Sequence, residues 1–261
     1  MSPEMTTEQL RLSKAEMAVL LQHFWGEAAA PTETMMTDLS LDEAALASGR
    51  RSLVGRELLL KAPRGGGAAL SPLVEPVLAT STRPQVLGVL QITGPGTAPR
   101  SGYFSWTPAM IVFNHVTETG DLMLETLSGV EAIANATLRF SDLTPFKKAK
   151  AEGVADPEAI VREAKLRAVF LAVSDPAAVK PATEAMAWLV SRGEIWLMEA
   201  GEGEVPQLMP ASAAEVGRKV VSLMNTAVEH LQAERSSPVT HKGDRSGEGK
   251  TVKATQERRG R

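Results

Sequence analysis

Apolar and polar positions repeat at two different periods along the chain, and together they predict a mixed α/β fold. Apolar residues recur at helical spacing near the end of the sequence, where a single stripe is formed by Val216, Val220, Leu223, Met224, Ala227, Val228 and Leu231. Helices are predicted over roughly 14–25, 41–57, 72–80, 129–138, 157–165, 176–191 and 213–233.

Helix starts are marked by two kinds of local signal. A Ser followed three residues later by Glu forms a capping box, in which each side chain accepts a backbone N–H of the other residue. This spacing occurs at Ser13/Glu16, Ser40/Glu43, Ser128/Glu131 and Ser212/Glu215. A polar cap followed by Pro marks the other starts, at Ser71-Pro72, Asp156-Pro157 and Asp175-Pro176.

Strands are predicted between these helices. Segments 85–92, 102–106, 110–115 and 122–127 indicate a meander, with Gly94-Pro95-Gly96 at one bend and Thr119-Gly120-Asp121 at another. The nearly continuous apolar run 167–173 predicts a strand buried on both faces. Segments 195–199 and 205–209 predict a hairpin. The expected architecture is a central, largely antiparallel sheet flanked by helices.

Three regions are expected. Residues 1–143 hold the N-terminal helices and the meander, residues 144–233 form a C-terminal α/β half packed on it, and residues 234–261 form a polar tail predicted to be disordered. Residues 52–60 and 188–197 resemble each other, each with Leu-Val-x-Arg before an apolar stretch. The echo is open to two interpretations: a common way for a helix to end, or a duplication that gives a pseudo-twofold molecule.

Composition and charge narrow the class of protein. The 261 residues contain no cysteine, which excludes disulfides and thiolate chemistry, and the N-terminus lacks the apolar segment of a secretory signal. From Arg235 onward the net charge is +5, whereas the remainder carries −8. We expect a cytoplasmic protein without a membrane span, whose acidic body favours a basic partner.

No pattern typical of catalysis is present. The four histidines stand singly, without the spacing of a metal site, and neither a nucleophile elbow nor a phosphate-binding Gly-rich motif occurs. We therefore expect no enzyme activity, no cofactor and no metal. An enzyme on an unfamiliar fold is the third of the interpretations that stay open.

A winged-helix DNA-binding regulator is the second interpretation. Three N-terminal helices followed by strands have the order of that unit, and Arg50, Arg51 and Arg56 lie on the middle helix, where phosphate contacts are made. Against it, the helix in the recognition position reads Pro-Leu-Val-Glu-Pro-Val-Leu from residue 72 and carries no side chain that reads bases.

The first interpretation is a protein-binding, chaperone- or adaptor-like function. Aromatic residues are scarce at 4% but cluster in the meander, at Tyr103, Phe104, Trp106 and Phe113. Alternation along a strand places Phe104 and Trp106 on one face and Tyr103 on the other. An aromatic side chain on an open face is a typical interface anchor. Trp106 is the first candidate, and Tyr103 the second if the sheet faces the other way.

The order of elements resembles that of a known family. The segments that carry the resemblance are Leu12-Ser13-Lys14-Ala15-Glu16, the run 50–59 and Leu70-Ser71-Pro72-Leu73, with a strand after Arg83-Pro84. They resemble the EspG chaperones of type VII (ESX) secretion systems. The resemblance covers roughly residues 10–233 and implies a cytosolic, non-catalytic protein that holds secretion substrates on an apolar surface of its sheet and helices. The chain departs from the family in having Glu57 where Gly is favoured after Arg56.

Overall fold

A ten-stranded sheet runs through the computed structural model, which describes residues 9–24, 41–60, 68–149, 157–199 and 207–236. In sheet order its strands are β1 (Gln9–Leu12), β7 (Leu122–Leu127), β6 (Ile111–Val116), β5 (Arg100–Trp106), β4 (Val86–Thr93), β9 (Leu166–Ser174), β10 (Thr183–Ser191), β11 (Glu194–Glu199) and β12 (Gln207–Ala211). The short β8 (Lys147–Lys148) pairs parallel with β11, and every other pairing in the sheet is antiparallel. The predicted α/β class and the largely antiparallel sheet are confirmed.

Six helices are described, and they cover the two faces of the sheet unequally. On one face, α4 (Val130–Phe140) and α6 (Ala213–Ser236) pack against each other and over the central strands. On the other face, α1 (Lys14–Phe24), α2 (Glu43–Gly55) and α3 (Glu75–Thr82) form a core with β1, β6 and β7. The short α5 (Pro157–Arg162) packs with β10 and β11 on that same face. A separate two-stranded ribbon joins β2 (Leu59–Leu60) to β3 (Ala69–Leu70).

The order of elements repeats in the two halves of the chain. A helix, four antiparallel strands and a second helix occur first as α3, β4–β7 and α4, and again as α5, β9–β12 and α6. The halves join through the antiparallel pairing of β4 with β9. The arrangement is pseudo-twofold in topology. The division expected at residue 143 falls between α4 and β8, and one hydrophobic core spans both sides of it.

The similarity between residues 52–60 and 188–197 does not match the structural repeat. Residues 52–60 run from α2 into β2, whereas residues 188–197 form the hairpin of β10 and β11. The two similar segments therefore adopt different secondary structures, and the similarity is not evidence for the repeated order of elements.

The helix predicted over 176–191 is wrong. Residues 183–191 form β10, which pairs with β9 on one side and with β11 on the other. Arg192 and Gly193 make the tight turn into β11, both with positive φ, at 54° and 78°. Its alanines and methionine favour a helix, but such propensities differ by only about a few tenths of a kcal/mol per residue. Hydrogen bonding and packing with strands on both sides outweigh that preference.

Two of the four capping boxes form as predicted. The Ser13 N–H donates to Glu16 Oε2 at 2.8 Å, and the Ser212 N–H donates to Glu215 Oε2 at 2.6 Å. Helix α2 instead uses Asp42, whose Oδ1 accepts the Ala45 N–H at 2.7 Å, and Ser40 lies outside the described residues. At α4 the cap position is Gly129, without a side-chain hydrogen bond.

A buried carboxylate joins α1 to α2. Glu16 is almost fully buried, and its Oε1 accepts hydrogen bonds from Ser52 Oγ at 2.8 Å and from Arg56 Nη1 at 2.7 Å. Burial opposes ionisation of this carboxyl, but the hydrogen bonds from Ser13, Ser52 and Arg56 lower its pKa overall. The next residue after Arg56, Glu57, has φ 58°. The departure from the family's glycine therefore falls at a left-handed position, where a side chain costs about 1 kcal/mol.

Helix α6 extends further than predicted. It ends at Ser236, and Arg235 Nη1 donates to Gln85 Oε1 at 3.0 Å, so the first residues assigned to the tail are helical. The rest of the predicted tail lies outside the described residues. Within the described part of the chain, no helix is both long and apolar enough to cross a membrane.

Candidate functional site

Strand β9 is buried on one face only, which corrects the expectation that it is buried on both. Ala168, Phe170 and Ala172 are buried against α6. The intervening Val169, Leu171 and Val173 point to the opposite face, where Val169 is 40% exposed and the other two are half-buried. The sheet therefore presents an apolar surface that its own helices leave partly uncovered.

This surface extends over four neighbouring strands. Val89 of β4 lies opposite Tyr103 of β5 on one side and opposite Leu171 of β9 on the other, and Leu171 in turn lies opposite Ala185 of β10. We define the open strip as these side chains and their neighbours on the same face: Leu87, Val89, Tyr103, Val169, Leu171, Val173, Ala185 and Ala187. Each of them is half-buried or exposed.

The position of the strip follows from where the helices pack. On this face α1, α2 and α3 lie over β1 and β5–β7, and α5 lies over β10 and β11. The described helices thus stand on either side of β4 and β9. Within the described residues no helix lies over these two adjacent apolar strands, which leaves a channel about 10–14 Å wide at a strand spacing of about 4.8 Å.

One end of the strip opens into a polar cleft. The cleft has a volume of about 1130 Å³ and lies where the β4–β5 and β6–β7 loops meet the start of β9. Tyr103 lines it together with Lys14, Arg100 and Lys165. Tyr103 is therefore the residue shared by the apolar strip and the cleft.

The structure separates the four aromatic residues proposed as anchors. Phe104 and Phe113 stack with ring centroids 4.5 Å apart and are buried in the core, so neither offers a surface to a partner in this conformation. Trp106 is half-buried on the same face as Phe104 and packs against that core. Tyr103 lies on the open face. Tyr103 therefore points to the opposite face of the sheet from Phe104 and Trp106, as the alternation along the strand predicts.

The arginines of the DNA-binding alternative are not arranged as one group. Arg50 and Arg51 are exposed on α2, whereas Arg56 is held by Glu16 and also donates to the Arg11 carbonyl at 2.9 Å. The helix in the recognition position, α3, buries Val77 and Leu78 against the N-terminal core. Its exposed positions are Glu75, Pro76 and Ala79, which carry no basic or base-reading side chain of the kind that a recognition helix places in a groove.

His115 is a partly buried titratable group on the helix-covered face, away from the strip. Its ring stacks on Phe113 at 5.1 Å and meets Phe140 edge-on at 5.2 Å, and its Nδ1 has no hydrogen-bond partner among the described residues. Burial lowers its pKa; the Glu125 carboxylate opposes this shift, and Arg139 and Arg100 add to it. In the part of the chain that the structure describes, no three His, Asp or Glu side chains are grouped to hold a metal.

This environment predicts a loss of stability in mild acid. Because the folded-state pKa of His115 lies below its unfolded value of about 6.5, the unfolded chain takes up the proton first. The contribution of the neutral ring is complete above that value and is lost as the pH falls through the folded pKa. The thermal midpoint measured from pH 7.5 to pH 5.5 should fall less in His115→Gln than in the wild type. Equal slopes would show that His115 does not titrate against folding.

Comparison with known proteins gives a match in structure and none in sequence. No protein-family model matches the chain, and no curated protein matches its sequence. Among solved structures, the chain is similar to the Mycobacterium tuberculosis type VII secretion system chaperone EspG5, solved in complex with a PE25–PPE41 dimer. The TM-score is 0.57 at 10% identity, over 85% of this chain and 96% of that one. The chain therefore has the EspG fold, as the resemblance in its order of elements implies.

Proposed function

We propose that this protein is a non-enzymatic chaperone or adaptor that binds a protein partner on the open strip. The observation that carries the proposal is the row Tyr103–Val89–Leu171–Ala185, which is apolar across four strands and partly exposed. A contiguous apolar surface on a folded protein typically marks a protein interface. The EspG fold supports the proposal, since the similar chaperone was solved with a protein dimer bound. A cytoplasmic location and a part in type VII secretion belong to the same proposal.

Tyr103 is the proposed anchor, and Trp106 is not. A tyrosine at an interface supplies a large contact area and a hydroxyl group at a small entropic cost. Tyr103 stands on the open face at the junction with the cleft, whereas Trp106 packs against the core on the other face. The two residues therefore have different expected roles although they are three positions apart.

The experiment compares folding with partner retention. The tagged chain and its variants are purified from the native organism, and both the thermal midpoint and the co-purified proteins are measured. Tyr103→Ala and Leu171→Gln should keep a midpoint close to that of the wild type and lose the partner. Trp106→Ala should lower the midpoint, because it removes packing from the core.

Leu73→Gln is the matched control. Leu73 is 73% exposed in the turn before α3 and lies off the strip. The same change of side chain there should alter neither the thermal midpoint nor the co-purified partner. Retention of the partner by both Tyr103→Ala and Leu171→Gln, with folding intact, would rule out the strip as the binding surface.

A further inference from the structure

The polar end of the open strip carries positive charge that the described structure leaves unneutralised. Lys14 and Lys165 line the cleft, and Lys165 is exposed. Arg167 lies on the open face two positions along β9 from Val169, is exposed, and donates to the Val161 carbonyl at 2.8 Å rather than to a carboxylate. Three cations therefore border the end of an apolar surface.

Two of the three carboxylates that line the cleft form ion pairs with arginines. Asp121 is bound by Arg11, and Asp142 pairs with Arg100 at 3.3 Å. Glu118 is the remaining acidic residue among those that line the cleft. After these pairs are set aside, the cleft and Arg167 present three cations against one carboxylate, in a protein whose overall charge is −3.

We propose that the partner presents carboxylates to Lys14, Lys165 and Arg167 while its apolar side chains lie on the open strip. This rests on the proposed function. The matching occupant is a helix with one apolar face and an acidic segment at one end, because a helix about 10 Å in diameter fits a channel about 10–14 Å wide. The acidic body as a whole favours basic ligands, so a preference for carboxylates is a local property of this end of the strip.

Synthetic peptides provide the test. Three fluorescein-labelled peptides share a helix of 16 residues with a Leu/Ala face, followed by a short Gly-Ser linker and a tail of three Glu, three Lys or three Gln. Binding of each to the full chain is measured by anisotropy at low salt. The Glu peptide should bind about fivefold or more tighter than the Gln peptide, as two or three exposed ion pairs would give, and the Lys peptide more weakly. The difference should shrink at 0.5 M NaCl.

Variants separate this proposal from the one on which it rests. The double variant Lys165→Glu, Arg167→Glu should reverse the order of the Glu and Lys peptides. Arg218→Glu, at an exposed position of α6, should leave the order unchanged. Leu171→Gln should weaken all three peptides alike. Equal binding of the three peptides to the wild type would overturn the carboxylate preference and leave the apolar surface standing. Absence of binding by all three would overturn both.

Discussion

Replacing Phe170 with Ala should destabilise the protein by about 3–5 kcal/mol, the cost of removing a large aromatic ring from a packed core. Phe170 is fully buried, and its ring centroid lies 6.0 Å from that of Phe104. Its ring and the Met224 sulfur of α6 pack together over Gly88, where an added Cβ would lie 2.9 Å from Phe170 Cζ and 3.0 Å from Met224 Sδ. Few neighbours can move into the cavity, because β4 and β10 flank β9 and α6 packs over this face. The thermal midpoint should fall by about 10 °C.

The adjacent residue on the same strand is the control. Leu171 points to the open face, so Leu171→Ala should cost about 1 kcal/mol or less, because little buried surface is lost. Chemical denaturation of the two variants measures the difference directly. Similar losses for both would mean that β9 is covered on both faces and that the open strip does not exist.

Gly49→Ala should separate α1 from α2 and destabilise the N-terminal core by about 1–3 kcal/mol, as overpacking does. A Cβ at Gly49 would lie 2.6 Å from the backbone carbon and oxygen of Ala15 and 3.0 Å from the Glu16 nitrogen. These are backbone atoms and cannot rotate away. The substitution also disturbs the helix start that places the buried Glu16 carboxylate.

Gly55→Ala is the matched change on the same helix. A Cβ at Gly55 meets nothing within 4 Å, and alanine has the better helix propensity, so this variant should be neutral or more stable by up to about 1 kcal/mol. Denaturation midpoints of the pair test the close approach of α1 to α2. Equal stability of Gly49→Ala and the wild type would show that the two helices are not in contact at Gly49.

Local signals predicted most of the elements correctly. The meander strands, the final hairpin and α6 all carry periodic apolar positions bounded by turns or caps, and the structure has them close to the predicted bounds. The exception over 176–191 has a physical reason. Asp175-Pro176 is typical of a helix start, but Asp175 has φ 44° and begins a turn. From Thr183 onward the residues form β10, in which side chains alternate between the two faces of the sheet.

The open strip could not be read from the sequence, because apolar residues occupy both faces of β9. Val169, Leu171 and Val173 are the same residue types that fill the core, so the sequence predicts that the run 167–173 is buried throughout. A weak signal was present: Arg167 of β9 and Gln91 of β4 share a face with these residues, and a fully covered face seldom carries such side chains.

The sequence leaves Trp106 and Tyr103 as alternative anchors for a related reason. Alternation along β5 showed that the two side chains point to opposite faces, but it did not show which face the helices cover. That depends on α4 and α6 packing over Phe104 and Trp106, a long-range contact between the ends of the chain halves.

Site-specific photocrosslinking tests the central claim most directly. Val169, 40% exposed near the Arg167 end of the strip, is replaced by the photoreactive p-benzoylphenylalanine in the native organism, and Leu73 is replaced in the same way as the control. A covalent adduct with a partner protein should form from position 169, disappear when Leu171→Gln is added, and be absent from position 73. An adduct from position 73 alone, or one from 169 that Leu171→Gln leaves unchanged, would contradict binding on the open strip.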